Sequence, residues 1–307
     1  ANSRVISDPA RAALIGTGTF DRGARASIIR DRLDALQPGA FDEAAMLAIQ
    51  LDDRADFLAR WRDLVIGLID AAPSPDPRFP EVRRLMAQDS DRASIDSVGF
   101  RLLFEYRVQI HTEVLTWLTR PCFKADPDFD LGWIFRNEAP IWALVESKPT
   151  HLLDRRHESW DAFLRGELIA LLDRATRKGA PLSAWTWGQR NQLKAGHPFS
   201  SQLKVVGLES WLDLPTIALP GAPIDMPRVQ DSTNGASQRM AVRPGREESA
   251  YFQLPGGQSA HPLSPHYRDG FDAWAAGDPA TSTRLLSGEP SHTLTIVPVP
   301  SLADSGP

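Results

Sequence analysis

The spacing of apolar residues changes near residue 180, and this change limits the fold more than any other feature of the chain. Before it, apolar residues recur at intervals of three and four, the period that gathers them on one face of a helix. After it, Gly and Pro become dense and the apolar runs shorten, the pattern of strands cut by turns. Residues 24–36 align Ile28, Ile29, Leu33 and Leu36, with Arg25, Arg30, Arg32 and Asp34 around them. Two more helices are expected over 42–51 (Met46, Leu47, Leu51) and 55–71 (Phe57, Leu58, Trp61, Leu64, Leu68), before Pro73, Pro75 and Pro77 break the chain. A long buried helix is expected over 95–119, stopped by Pro121, because proline removes a backbone donor and crowds the preceding turn. Another is expected over 159–176, where Trp160, Phe163, Leu164, Leu168, Leu171 and Leu172 keep the helical interval.

Beyond residue 180, strands are expected at Met240–Val242, Ala250–Leu254 and Leu294–Val297, a surface loop over 220–236, and a short helix over 268–276. The tail after Pro298 is expected to fray. Helices first and strands later predict an α+β chain, with a mainly helical region over 1–180 and a strand- and loop-rich region over 181–307. The strands are antiparallel in this reading, and they are few, so the rest of their sheet is expected on another segment.

Composition narrows the function. The 307 residues carry a formal net charge of −5, which gives no basic footprint for nucleic acid. No run of about 18 apolar residues is present to span a membrane. Cys122 is the single cysteine and cannot pair within the chain, so no disulfide framework is expected. Ala1-Asn2-Ser3-Arg4 has neither the basic nor the apolar part of a signal peptide. The pairs His151/His157 and His261/His266 are six and five residues apart, spacings that fit no common helical metal pair. Trp133, Trp142, Trp160, Trp185, Trp187 and Trp274 read as core residues before they read as a substrate box.

One stretch stands out: Leu254-Pro255-Gly256-Gly257-Gln258-Ser259-Ala260-His261-Pro262-Leu263-Ser264-Pro265-His266-Tyr267-Arg268-Asp269, followed by Trp274 and Gly277. It is similar to the C-terminal signature of the penicillin acylase family, with Ala260 where that family usually has glycine. Ala1-Asn2-Ser3-Arg4-Val5, Arg25-Ala26-Ser27-Ile28-Ile29 and Ala48-Ile49-Gln50-Leu51-Asp52 resemble family segments in the same order. So do Trp187-Gly188 with His197-Pro198, Gly235-Ala236-Ser237-Gln238-Arg239, and the closing Leu294-Thr295-Ile296-Val297-Pro298. The resemblance covers essentially the whole chain.

It implies the C-terminal part of the large subunit of an N-terminal-nucleophile hydrolase, with a four-layer αββα fold made of two antiparallel sheets between helices. It implies hydrolysis of a linear amide through an acyl-enzyme, on β-lactams, acyl-homoserine lactones or other small acylated amines. The attacking serine or cysteine of such enzymes is a chain N-terminus whose own α-amino group is the base. Ala1 has no hydroxyl or thiol, so the nucleophile is expected upstream, and the isolated 307 residues are expected to be inactive. The expected partners are the small subunit and the N-terminal part of the large subunit, and the expected location is the periplasm. No organic cofactor is implied. Calcium is common in the family, with most ligands expected upstream.

Two site residues follow from the resemblance. Asn2 matches the asparagine whose side-chain N–H helps form the oxyanion hole, and Arg25 matches the arginine that steadies it. From residue type alone, Asn2 reads as a frayed terminal asparagine and Arg25 as one of several solvated helix arginines. The polar run Gln258, Ser259, His261, Ser264, His266 and Asp269 offers the residue types of a triad, but it reads first as a hydrogen-bonded turn, because triads assemble from separate elements. The missing nucleophile also leaves open a non-catalytic binding or interaction domain derived from an acylase.

Overall fold

The structure is a computed structural model that describes residues 3–4, 6–16, 20–72, 76–130, 137–278, 283–284 and 292–297. Asn2, Trp133 and the tail after Pro298 lie outside the described residues. Among the described residues, nine helices of six or more residues come first: α1 (Pro9–Ile15), α2 (Ala24–Asp34), α3 (Glu43–Gln50), α4 (Ala59–Asp70), α5 (Phe79–Gln88), α6 (Val98–Leu118), α7 (Arg120–Ala125), α8 (Glu138–Ser147) and α9 (Trp160–Ala175). Then come α10 (Trp187–Arg190), β1 (Gln192–Leu193), α11 (Ser200–Leu203), β2 (Ile217–Ala218), β3 (Arg239–Ala241), β4 (Tyr251–Gln253), α12 (Phe271–Ala276) and β5 (Thr283–Arg284). β1 and β2 pair antiparallel, and β3, β4 and β5 form a second antiparallel sheet with β4 in the centre. The chain is therefore α+β.

The main core lies among α4, α5, α6, α8 and α9. Helix α6 runs through its middle. The Ser97 hydroxyl caps it by accepting from the Phe100 N–H at 2.9 Å, and Asp89 Oδ2 accepts from the N–H groups of Val98 and Gly99, filling donors that a helix start leaves free. Gly99 has no room for a side chain, since a Cβ there would lie 2.6 Å from the Leu85 carbonyl oxygen, so α5 and α6 meet backbone to backbone. Thirteen of the 21 residues of α6 are buried, and among them are the polar Arg101, Arg107 and His111. The Tyr106 hydroxyl donates to the Leu164 carbonyl at 3.0 Å and fastens α6 to α9. Trp117 packs edge-on against Trp160 and Phe163.

The chain beyond residue 180 returns to this core. Trp187 is buried against Phe100 and Phe104, and its indole N–H donates to the Gly221 carbonyl at 2.8 Å. Ala222 and Met226 join the same cluster. A second small core joins Leu193, Leu219, Phe271 and Trp274, and a third packs Leu47 of α3 against Ala241 and Tyr251 of β3 and β4. Trp160, Trp187 and Trp274 are buried, and Trp142 and Trp185 pack on the main core.

Three expectations need correction. Residues 220–230 are not a surface loop: Ala222, Asp225, Met226 and Gln230 are buried, because the segment packs into the helical layer and carries a carboxylate into it; the surface part of the expected loop is the turn at 231–236, where Thr233 and Asn234 are exposed. Leu294–Val297 forms no strand among the described residues; Leu294, Ile296 and Val297 are exposed, with no neighbouring strand to take their backbone hydrogen bonds. Pro121 does not stop α6, which ends at Leu118; it sits in the first turn of α7, where a missing N–H is harmless.

Candidate functional site

Residues 20–25 turn the chain into α2 and shape a cleft. Ser3 forms a parallel bridge with Asp21, so the segment that follows Asn2 lies beside the entry to α2. Gly23 sits before the helix at φ +81°, a left-handed conformation that side chains resist. The cleft has a volume of about 320 Å³, and Ser3, Asp21, Arg22, Arg25, Ile29 and Ile224 line it. Arg25 thus stands at the cleft. Its Nη2 donates to Asp21 Oδ2 at 3.2 Å, and both side chains are about one-third exposed. The structure brings Arg25 near Ser3; Asn2 itself is outside the described residues.

Beneath this cleft lies a buried ionic cluster that the sequence did not disclose. Glu138, at the start of α8, is 3% exposed. Its Oε1 accepts from Arg60 Nη2 at 2.6 Å and from the Trp61 indole N–H at 2.8 Å. Its Oε2 accepts from Arg107 Nε at 2.7 Å and from Arg22 Nη1 at 3.2 Å. His111 Nε2 lies 2.9 Å from the same oxygen, turned so that neither ring nitrogen makes an aligned hydrogen bond. Asp225 completes the cluster by pairing with Arg22 Nη2 and with Arg107 Nη1, the latter at 3.3 Å. The Arg22 guanidinium also lies over the Phe57 ring, 4.9 Å from its centroid.

The two carboxylates respond oppositely. Burial alone pushes Glu138 up, but the nearby His111 ring, the Arg107 guanidinium and the Trp61 donor outweigh it and hold Glu138 well below the ordinary range. Burial dominates at Asp225 and, with the Glu138 charge adding to it, raises the group to about 6 against the pull of Arg107. The signal for this cluster was present in α6: Arg107 and His111 are one helical turn apart on a helix otherwise rich in buried apolar residues. Arg22, Glu138 and Asp225 carried no local signal, because they come from three separate segments.

The Gly256–Asp269 stretch is a hydrogen-bonded turn. Gly257 N–H donates to the Tyr267 carbonyl at 2.9 Å and Ser259 N–H to the His266 carbonyl at 3.0 Å. The hydroxyls of Ser259 and Ser264 accept from the backbone N–H groups of His261 and His266. The exposed His266 pairs with Asp269 at 2.8 Å, with no serine hydroxyl bonded to its ring among the described residues. Tyr267 ties the turn to Leu212 through its hydroxyl at 2.7 Å. Among the described residues, no three His, Cys, Asp or Glu side chains gather closely enough to hold a metal ion.

Residues 1–283 match the family model described as penicillin amidase. The chain belongs to the penicillin amidase family. Among curated proteins it is 27% identical over 264 residues to an acyl-homoserine lactone acylase, QuiP, of Pseudomonas putida, a match that covers 84% of this chain and 28% of the relative. It is 25% identical over 266 residues to the protein of the same name from Pseudomonas fluorescens, covering 78% of this chain and 31% of the relative. The chain thus spans less than a third of the length of the curated relatives it matches. The family motifs quoted above identified this membership.

Proposed function

We propose that this chain is the C-terminal part of the large subunit of an amidohydrolase that cleaves a linear amide through an acyl-enzyme. The observation that carries the reading is the cleft at the head of α2, which joins Arg25 to the segment following Asn2 in a chain that matches the penicillin amidase family over residues 1–283. In this reading the nucleophile is an N-terminal serine or cysteine on a segment outside this sequence. Its oxygen or sulfur bonds to the substrate carbonyl carbon while its α-amino group takes the proton and passes it to the departing amine. Asn2 donates its side-chain N–H to the oxyanion, and Arg25 holds Asn2 in place. Water then attacks the acyl-enzyme, releases the carboxylic acid and restores the nucleophile.

The substrate class is a small acylated amine, and the names of the two relatives favour an acyl-homoserine lactone. The β3–β4–β5 sheet would extend with strands from the rest of the precursor into a four-layer αββα fold, and that remainder, including the small subunit, is the partner. The periplasm is the proposed location. The chemistry needs no organic cofactor. Calcium, where the whole protein binds it, would take most of its ligands from outside these residues; among the described residues no group of three His, Cys, Asp or Glu side chains forms a site by itself.

The test uses the product of the complete gene. The N-terminus of every purified chain is read, and hydrolysis is measured with an acyl-homoserine lactone and with a penicillin side-chain amide. A chain that begins with Ser, Cys or Thr, with activity that Asn2→Ala lowers by about 10²–10³-fold in kcat, is the expected outcome. A single unprocessed chain without hydrolysis would move the reading to a non-catalytic binding domain. Residues 1–307 alone are expected to hydrolyse nothing.

A further inference from the structure

We propose that Arg22 is a positioning residue: clamped between Glu138 and Asp225, it ties together the two walls of the cleft and fixes the backbone from which Arg25 projects. The proposal rests on the amidase reading for its catalytic consequence and on geometry for its structural one. One wall of the cleft is the 21–25 segment, and the other includes Ile224, two hundred residues away in sequence. Arg22 belongs to the first wall, and Asp225 follows Ile224 in the second. Their ion pair spans the two.

Arg22 is suited to this work. It is 9% exposed, it reaches one carboxylate with each Nη, and its face rests on Phe57. The planar fork of a guanidinium fixes orientation in a way a lysine ammonium does not. Both carboxylates are held in turn by Arg107, which is 2% exposed on the central helix α6. The clamp is thus anchored in the main core. Arg25, by contrast, is held by one part-exposed pair with Asp21, of a kind that contributes little to order. Ser3 reaches the same place through a single bridge to Asp21. Neither contact can set the direction of Arg25 unless the backbone of residues 21–25 is already fixed, and Arg22 is the residue there with two buried carboxylate partners, one of them, Asp225, next to Ile224 of the opposite wall.

The experiment compares wild type, Arg22→Gln and Arg22→Lys in the full-length protein, with Arg30→Gln on the exposed face of α2 as control. Two readouts are taken: amide hydrogen exchange by peptide, and kcat and KM on the best amide substrate. Arg22→Gln is expected to speed exchange in residues 20–27 by tenfold or more while α6 and α9 keep their protection. It is also expected to lower kcat by 10–100-fold with KM within threefold of wild type. Arg22→Lys, which keeps the charge and so serves as the second variant if Gln does not fold, is expected to recover part of kcat and part of the protection. The clamp is overturned by unchanged exchange in residues 20–27. Loosening spread evenly through α6 and α9 overturns it too, since that is the signature of a stability role alone. So does local loosening with full kcat in an enzyme that Asn2→Ala disables. An inactive wild type with local loosening in Arg22→Gln overturns the amidase reading and leaves the clamp supported.

Discussion

Glu138 shows how much one buried side chain can be asked to balance. Its two oxygens face three arginines, an indole N–H and an imidazole, and water scarcely reaches it. Taking a carboxylate out of water is expensive, and the expense is met only while the partners stay in place. Glu138→Gln keeps the size and one acceptor oxygen but removes the charge. Arg22, Arg60 and Arg107 would then share Asp225 alone, which bonds two of them. Breaking a buried pair from one side destabilises by about 3–5 kcal/mol, so Glu138→Gln is expected to lower the unfolding free energy at pH 7 by an amount in that range. Urea unfolding checks it, and a change below about 1 kcal/mol would show that the cluster is not desolvated as described. Arg25 could be picked out beforehand because a motif surrounds it. Glu138 could not, since a glutamate at the first turn of a helix looks like an ordinary partner for the helix dipole until folding buries it.

At the scale of elements, two glycines test whether the packing is as close as it looks. Gly166 lies exposed inside α9 with open space where a Cβ would go, so Gly166→Ala is expected to stabilise by about 0.5–1 kcal/mol through helix propensity alone. Gly257 lies in the motif turn, where a Cβ would sit 1.9 Å from the His266 carbonyl oxygen and 2.4 Å from Asp269 Oδ1. Gly257→Ala is expected to destabilise by about 1–3 kcal/mol as the turn is forced open. Thermal unfolding of the two variants should move in opposite directions. The same contrast explains which elements were legible. Helices α2, α3, α4, α6 and α9 and strands β3 and β4 declared themselves through apolar spacing, because each buries one face. Helix α5 buries Phe79, Val82, Leu85 and Met86, but Pro80 and the three prolines before it read as a break. Helix α8 carries Pro140 within its first turn and was hidden in the same way. Strands β1, β2 and β5 are two residues each, too short for any period to show. Leu294–Val297 had the apolar character of a strand, but pairing requires a neighbour, and that information is not local.

Across the whole molecule, the helical layer and the 220–230 segment share one core, so the charge state of Asp225 is felt by the fold as a unit. In the folded chain Asp225 titrates at about 6, against an ordinary value of 3.8, because burial disfavours its charged form. The folded state therefore holds this proton more tightly than the unfolded chain does. The sign follows from linkage: the contribution of Asp225 to stability is fully present below about pH 4 and is lost as the pH rises through about 6. Glu138 has the opposite sign, since its folded value is depressed; its contribution is present above the ordinary carboxylate range and is lost as the pH falls. The two partly mask each other in a simple pH scan, so a difference measurement is needed. Asp225→Asn cannot titrate at this position, while Glu138 remains in both proteins. The stability of the variant minus that of wild type is expected to rise by about 2–3 kcal/mol between pH 4 and pH 7, the free-energy equivalent of the roughly two-unit shift. Parallel urea midpoints at the two pH values read this directly. A difference that stays constant would mean that Asp225 ionises in the fold as it does in the unfolded chain, held down by Arg22 and Arg107 as firmly as burial raises it. A fall would mean that the two arginines outweigh burial and that Asp225, like Glu138, is stabilised as an anion.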